Sequence, residues 1–175
     1  MPTPLLIMLT GDVPAKIIHE VGNFDDMFLR MADYSGIETT VLAVGRGEEP
    51  DAPDRYCGVI VTGSPAMVTD REPWSEKCGE WLQRAVAAGT RVFGVCYGHQ
   101  LMAQAFGGKA DYHPLGMGLG TAEVTLHPEA AAHPLLPPLP GSFPVNLIHS
   151  QAVTALPPGA AALGFSEHDP NQMIS

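Results

Sequence analysis

A cysteine between two glycines, in a Gly-x-Cys-x-Gly pattern at residues 94–98, constrains this chain more than any other feature. The mostly apolar run at 91–95 predicts a short strand buried on both faces. Apolar residues at helical spacing follow at 101–106, and a glycine pair at 107–108 predicts the end of that helix. The pattern therefore predicts a strand, a tight turn and a helix with the cysteine at the turn, which is the arrangement of a nucleophile elbow.

The spacing of this pattern has a steric reason and a chemical consequence. A side chain two residues before or after Cys96 would collide in so tight a turn, and glycine at positions 94 and 98 removes it. The cysteine is then held in a strained backbone conformation. We expect the free N–H groups and the dipole of the following helix to favour thiolate over thiol. A cysteine in an apolar run is most often inert, so the glycines and the helix are what make Cys96 the candidate nucleophile.

Composition and charge limit the classes of protein to which the chain can belong. Its 175 residues predict one domain with a hydrophobic core. The formal net charge is −10 with only nine Lys and Arg residues, which argues against nucleic-acid and anionic-membrane partners. The three cysteines, Cys57, Cys78 and Cys96, match no zinc, dithiol or disulfide pattern and favour a cytoplasmic location. No apolar stretch reaches the roughly 18 residues of a membrane span.

Strand and helix patterns alternate through the first half of the chain. Buried-strand patterns at 5–9, 37–44 and 58–62 are separated by helical ones. One helix is predicted from Phe24 to about Tyr34 with Asn23 as its N-cap, and another at 73–88 begins at a proline. The alternation predicts an α/β fold with a mostly parallel open sheet and helices on both faces. The predicted core face of the first helix consists of residues at i, i+3, i+4 and i+7: Phe24, Met27, Phe28 and Met31.

The second half of the chain changes character. Short alternating segments at 121–126, 143–148 and 160–165 are broken by Gly and Pro, and they predict antiparallel or edge strands. A glycine-rich stretch at 115–120 lacks the pattern of a dinucleotide or phosphate-binding loop, so we assign it no cofactor role.

The elbow segment, residues 94–108, resembles the nucleophile segment of class I glutamine amidotransferases, and most of all the glutaminase half of GMP synthase. The likeness extends from the first strand to about Gln172 and implies a flavodoxin-like sheet. It implies that backbone N–H groups of Gly63 or Ser64, at the end of the third strand, and of Tyr97 hold the substrate oxyanion. Gln100 would help to bind glutamine.

Residues 148–153 resemble a second family segment, Ser-His-x-Asp-x-Val, which lines the glutamine pocket. His149 is kept, while Ile148 replaces the serine and Gln151 replaces the aspartate. The resemblance thus makes His149 and Gln151 candidate substrate-binding residues. A histidine at a strand end is equally compatible with a structural role.

The family also carries a catalytic His and Glu in a His-Pro-Glu motif on a late strand, after the segment containing His149. We therefore expect the sequence to lack a C-terminal segment, and residues 171–175 to be the first strand of a hairpin. His127-Pro128-Glu129 spells the same motif but precedes His149, and we interpret it as coincidence.

The resemblance implies a glutamine amidotransferase in which Cys96 attacks the glutamine side chain, releases ammonia and leaves a γ-glutamyl thioester for hydrolysis. This chemistry requires no metal or organic cofactor, and an ammonia-acceptor protein is a possible partner. A γ-glutamyl peptide or amide hydrolase on the same scaffold is the enzyme alternative. A non-catalytic binding or regulatory homologue is another alternative. A thiol-stress protein fits less well, because such proteins usually place a glutamate from the end of the first strand near the nucleophile, and here that strand ends in Thr-Gly-Asp.

Overall fold

The computed structural model describes residues 3–31, 34, 36–134 and 136–175. Its contacts divide the chain into two compact units, Met1–Ala105 and Phe106–Ser175.

The first unit is built on a four-stranded parallel sheet. Its strands are β1 (Leu5–Met8), β2 (Thr39–Leu42), β3 (Gly58–Val61) and β4 (Val92–Gly94), in the order β2-β1-β3-β4. Buried apolar side chains explain why β1 and β3 occupy the centre, since Leu6, Ile7, Met8 and Val61 are each 0% exposed. The carboxyl ends of parallel strands lie at the same edge of a sheet, so the segments that follow β1, β3 and β4 lie along one edge.

Helices flank this sheet. They are α1 (Ile18–Val21), α2 (Phe24–Met31), α3 (Pro73–Ala87) and α4 (Tyr97–Ala105). The longest, α3, has Pro73 in its first turn and packs against α4 and β4. Its buried face includes Cys78, Trp81, Leu82 and Ala85. None of the helices in the described part of the chain is long and apolar enough to cross a membrane.

The second unit consists of two antiparallel sheets. β5 (Lys109–Tyr112) pairs with β8 (Gln151–Ala155). The other sheet has the order β10-β9-β6-β7. Its strands are β6 (Gly118–Leu126), β7 (Ser142–His149), β9 (Ala162–Phe165) and β10 (Met173–Ile174).

The predicted α/β fold, with a mostly parallel sheet flanked by helices and an antiparallel extension, is confirmed. Several details differ. β4 lies at the edge of its sheet and is not buried on both faces, since Phe93 is 60% exposed. β2 spans four residues instead of eight. Two strands, β5 and β8, were not predicted. β10 lies within the strand predicted at 171–175 and pairs with β9.

The first predicted helix begins where expected but buries less than expected. α2 starts at Phe24, but none of its residues is buried and Met31 is 83% exposed. Asn23 does not cap the helix with its side chain: its Oδ1 accepts from the Val13 N–H at 3.0 Å, while Asp26 Oδ2 accepts from the Asn23 N–H at 2.8 Å. The capping interaction thus comes from the acidic residue of the first turn. The end predicted near Tyr34 falls partly on residues outside the described ones.

Candidate active site

Cys96 sits in the turn between β4 and α4 with a left-handed backbone conformation, φ 53°. Within the described ranges, Arg71 is the one other non-glycine residue with a positive φ. A cysteine in this region of φ is strained by about 1–3 kcal/mol, and the surrounding structure must impose it. The strand–turn–helix conformation predicted from the Gly-x-Cys-x-Gly pattern is therefore present.

The two flanking glycines are required by close backbone contacts. A Cβ at Gly98 would lie 2.5 Å from the carbonyl oxygen of Val61 in β3, and a Cβ at Gly94 would lie 2.6 Å from the carbonyl carbon and oxygen of Gly98. Atoms do not approach so closely without a shift of the backbone. The absence of a side chain at Gly98 thus lets the elbow pack directly against β3, and its absence at Gly94 lets the turn close on the start of α4.

The electrostatics of the thiol differ from the prediction. Burial raises the pKa of the Cys96 thiol, and a hydrogen bond from the backbone N–H of Tyr97 lowers it by a smaller amount. The N–H at the start of α4 does favour the thiolate, as expected, but loss of hydration outweighs it. The net direction in this structure is toward the neutral thiol, which corrects the expectation of a thiolate.

Tyr97 is anchored on its side-chain end as well as at its N–H. The residue is 1% exposed and its ring stacks on Trp74 with centroids 5.5 Å apart. Its hydroxyl lies 2.6 Å from Ser75 Oγ, and burial raises the pKa of the phenol to about 12. These contacts fix the residue whose N–H is the predicted second oxyanion donor.

The loop after β3 lies beside the cysteine. A Cβ built on Gly63 would be 3.7 Å from Cβ of Cys96, so the Gly63 backbone is next to the thiol-bearing residue. The Ser64 hydroxyl is occupied locally, because its Oγ lies 3.0 Å from the Thr10 carbonyl oxygen and accepts from the Ala66 N–H at 3.1 Å. The Ser64 hydroxyl proton is thus engaged within the protein, which leaves the backbone N–H groups of Gly63 and Ser64 as the candidate oxyanion donors of this loop.

The remaining predicted residues fall into two groups. Gln100 is 6% exposed in the first turn of α4, and its N–H donates to the Cys96 carbonyl at 3.0 Å. The structure thus brings Cys96, Gly63, Ser64, Tyr97 and Gln100 together within the first unit. His149 and Gln151 lie together in the second unit, at the end of β7 and the start of β8.

His149 belongs to a cluster of imidazoles that sequence reasoning did not predict. Its Nδ1 donates to the Gln151 carbonyl at 2.9 Å, and its Nε2 is buried without a hydrogen-bond partner among the described residues. The His168 ring lies edge-on to the His149 ring, with centroids 6.1 Å apart, and stacks on the His113 ring, with centroids 4.0 Å apart. The three residues lie far apart in sequence, so no local pattern indicates their proximity. Within the described ranges no three His, Cys, Asp or Glu side chains form a group that could hold a metal.

The His-Pro-Glu sequence at residues 127–129 makes structural contacts within the second unit. The His127 ring packs on Phe165 with centroids 4.9 Å apart, and Pro128 begins a 3-10 helix, Pro128–Ala132. The His127 N–H donates to the Leu163 carbonyl at 2.9 Å. These contacts lie within the second unit and tie the end of β6 to β9.

The chain is similar in sequence to known enzymes. Gamma-glutamyl peptidase 5 of Arabidopsis thaliana is 25% identical over 158 residues, which cover 88% of this chain and 63% of the peptidase. A glutamine-hydrolyzing GMP synthase of Aeropyrum pernix is 35% identical over 154 residues, covering 87% of this chain and 28% of the synthase. The chain therefore spans less than two thirds of the length of either relative.

A solved glutamine amido transferase from Methylobacillus flagellatus has the same fold. It superimposes with a TM-score of 0.78 at 24% identity, over 100% of this chain and 66% of that one. A sequence profile described as Glutamine amidotransferase class-I matches residues 18–175. The chain belongs to the class I glutamine amidotransferase family.

Proposed function

We propose that the chain is the amide-hydrolysing part of a glutamine amidotransferase, with Cys96 as its nucleophile. The sulfur attacks the side-chain carbonyl carbon of glutamine, and the carbonyl oxygen becomes an oxyanion. The C–N bond then breaks, ammonia leaves with the proton that the thiol has lost, and a γ-glutamyl thioester remains on Cys96. Water hydrolyses the thioester to glutamate and regenerates the thiol.

One observation carries this proposal: Cys96 holds a strained, left-handed conformation at a strand-to-helix turn, directly beside the Gly63 loop. Strained residues of this kind cluster at active sites, where the surrounding structure holds them in place. The Tyr97 N–H, already directed at the sulfur, and an N–H of Gly63 or Ser64 would donate to the oxyanion. Gln100 would contact the glutamyl group, and His149 and Gln151 are the candidate substrate-binding residues of the second unit.

A second candidate function uses the same nucleophile on γ-glutamyl peptides or amides. The support for it is the relative named gamma-glutamyl peptidase, which matches 88% of this chain. The two candidates differ in the leaving group, which is ammonia in one case and an amine in the other. An ammonia-acceptor protein is a partner under the first candidate, as the name of the GMP synthase relative suggests.

The test compares glutamate release from glutamine and from a series of γ-glutamyl amides and dipeptides. Cys96→Ala is expected to abolish release from every substrate. Cys57→Ala is the matched control, because Cys57 is an exposed thiol just before β3, at the strand end opposite Gly63. Higher kcat/KM for glutamine supports the amidotransferase, and higher kcat/KM for a substituted amide supports the hydrolase. Full-length wild-type protein that releases no glutamate from any of these substrates would contradict both candidate functions and leave a non-catalytic binding homologue.

A further inference from the structure

Two threonines at the ends of neighbouring strands form a closed pair beneath the Gly63 loop. Thr10 follows β1 and Thr62 follows β3, and they are 2% and 0% exposed. The Thr10 N–H donates to Thr62 Oγ1 at 3.1 Å, and the two hydroxyl oxygens are also 3.1 Å apart. Buried hydroxyl groups need partners, and these two find theirs in the backbone of the loop.

The hydroxyls lie against two successive carbonyls. Thr10 Oγ1 is 3.0 Å from the carbonyl oxygens of both Thr62 and Gly63, and Thr62 Oγ1 is 3.1 Å from that of Gly63. Each hydroxyl has one proton to donate, and Thr62 Oγ1 already accepts from the Thr10 N–H. The Thr62 carbonyl also accepts from the Gly98 N–H at 3.2 Å. In an arrangement that satisfies every group, the Thr62 hydroxyl donates to Gly63 O and the Thr10 hydroxyl donates to Thr62 O, which then has two donors.

Fixing these carbonyls also fixes the opposite sides of their peptides. The described residues contain no cis peptide bond, and in a trans peptide the C=O and N–H point in opposite directions. The N–H of Ser64 is therefore turned away from the threonine pair by the anchored Gly63 carbonyl, and the N–H of Gly63 by the anchored Thr62 carbonyl. Neither N–H donates to a backbone carbonyl within the described part of the chain.

We propose that Thr10 and Thr62 are positioning residues, which orient the N–H groups of Gly63 and Ser64 for the oxyanion formed at Cys96. This rests on the proposed function. The threonines do not contact substrate themselves, so they act through the loop. Because the oxyanion develops only in the reaction, loss of the orientation lowers kcat and leaves KM nearly unchanged.

The experiment compares Val and Ser at each threonine. Val keeps the shape and removes the hydroxyl, whereas Ser keeps the hydroxyl. Loss of an oxyanion donor lowers kcat by roughly 100- to 1,000-fold, so disorienting one is expected to lower it about 10- to 100-fold in Thr62→Val. Ser variants are expected to stay within about fivefold of wild type. The rate of Cys96 alkylation by iodoacetamide, which passes through no oxyanion, is expected not to change.

A second readout is the inhibition constant of glutamate γ-semialdehyde, an aldehyde that forms a thiohemiacetal with a cysteine. It is expected to weaken in the Val variants by the same factor as kcat. Should Thr62→Val fail to fold, Thr10→Val and the two Ser variants make the same comparison, because Thr10 Oγ1 lies 3.0 Å from the carbonyl oxygens of both Thr62 and Gly63.

The outcomes separate this inference from the proposed function. An active wild type whose Val variants keep full kcat overturns the positioning role alone. Equal losses in Ser and Val variants, or losses confined to KM, also overturn it, because they indicate packing or substrate binding. A full-length wild-type protein that neither hydrolyses its substrates nor binds the aldehyde overturns both proposals together.

Discussion

The same substitution, glycine to alanine, is expected to have opposite effects at two positions, one in α4 and one in α3 where it packs on α4. Gly98 is at the start of α4, where a Cβ would lie 2.5 Å from the Val61 carbonyl oxygen and 2.8 Å from Val61 Cβ. Gly79 is in the middle of α3, where a Cβ would make ordinary contacts, 3.4 Å to Ala105 Cβ and 3.8 Å to Leu101 Cδ1. Both glycines are buried, so the comparison isolates the space available.

At Gly98 the added methyl group must push α4 away from β3 by roughly half an ångström or more. Overpacking of this kind costs about 1–3 kcal/mol, so Gly98→Ala should lower the free energy of unfolding by that amount. At Gly79 the methyl group fits, and alanine is favoured over glycine in a helix by about 1 kcal/mol. The two variants should therefore differ by about 2–4 kcal/mol.

Urea denaturation followed by tryptophan fluorescence measures this difference, because the chain has two tryptophans, Trp74 and Trp81, both in α3. Activity should follow the same contrast, since a displacement of about 1 Å at a nucleophile can lower turnover about 100-fold. Gly79→Ala is expected to keep wild-type turnover. A Gly98→Ala chain as stable and active as wild type would refute the account of the elbow.

Three further predictions concern buried polar groups. Tyr97→Phe leaves the Ser75 hydroxyl, which belongs to a residue 1% exposed, without its partner and should lower the free energy of unfolding by about 1–3 kcal/mol. Adding Ser75→Ala should then lower it little further, and additive losses in a double-mutant cycle would contradict the hydrogen bond. Burial raises the pKa of Cys78 from 9.0 to about 12. The free energy of unfolding should therefore be unaffected below pH 9 and fall by about 1.4 kcal/mol per pH unit as pH rises toward 12. Urea denaturation of Cys78→Ala at a series of pH values should show a flatter decline, and an unchanged slope would contradict the role of Cys78. The raised pKa of Cys96 predicts that its alkylation, followed by peptide mass spectrometry, reaches half its maximal rate at a higher pH than a small free thiol does; a midpoint below that of the free thiol would show that the helix, and not burial, dominates.

Local sequence patterns were enough to predict the elbow and the parallel sheet. The Gly-x-Cys-x-Gly spacing reflects a steric requirement that the structure shows directly, because a Cβ at Gly94 or Gly98 would clash with backbone atoms. The central strands were equally predictable, because Leu6 and Ile7 of β1 are fully buried and apolar runs are what such burial demands.

Features that depend on distant partners were not predictable from local pattern. β4 reads as a strand buried on both faces, but burial depends on which neighbours pair with it, and Phe93 is exposed at the sheet edge. The thiol pKa depends on a balance between desolvation and one N–H, and the sequence reveals only the N–H. Thr10 and Thr62 could have been noticed, because polar residues at the carboxyl ends of adjacent parallel strands meet at one edge.

The central claim is that Cys96 forms a covalent acyl intermediate, and rapid quenching tests it most directly. Full chain mixed with glutamine, or with the best γ-glutamyl substrate, is quenched in acid within its first turnovers and digested for mass spectrometry. The account predicts a mass increase of one γ-glutamyl group on the peptide that contains Cys96, absent from Cys96→Ala and present in Cys57→Ala. Glutamate release that continues in Cys96→Ala, or an adduct on any other residue, would contradict it.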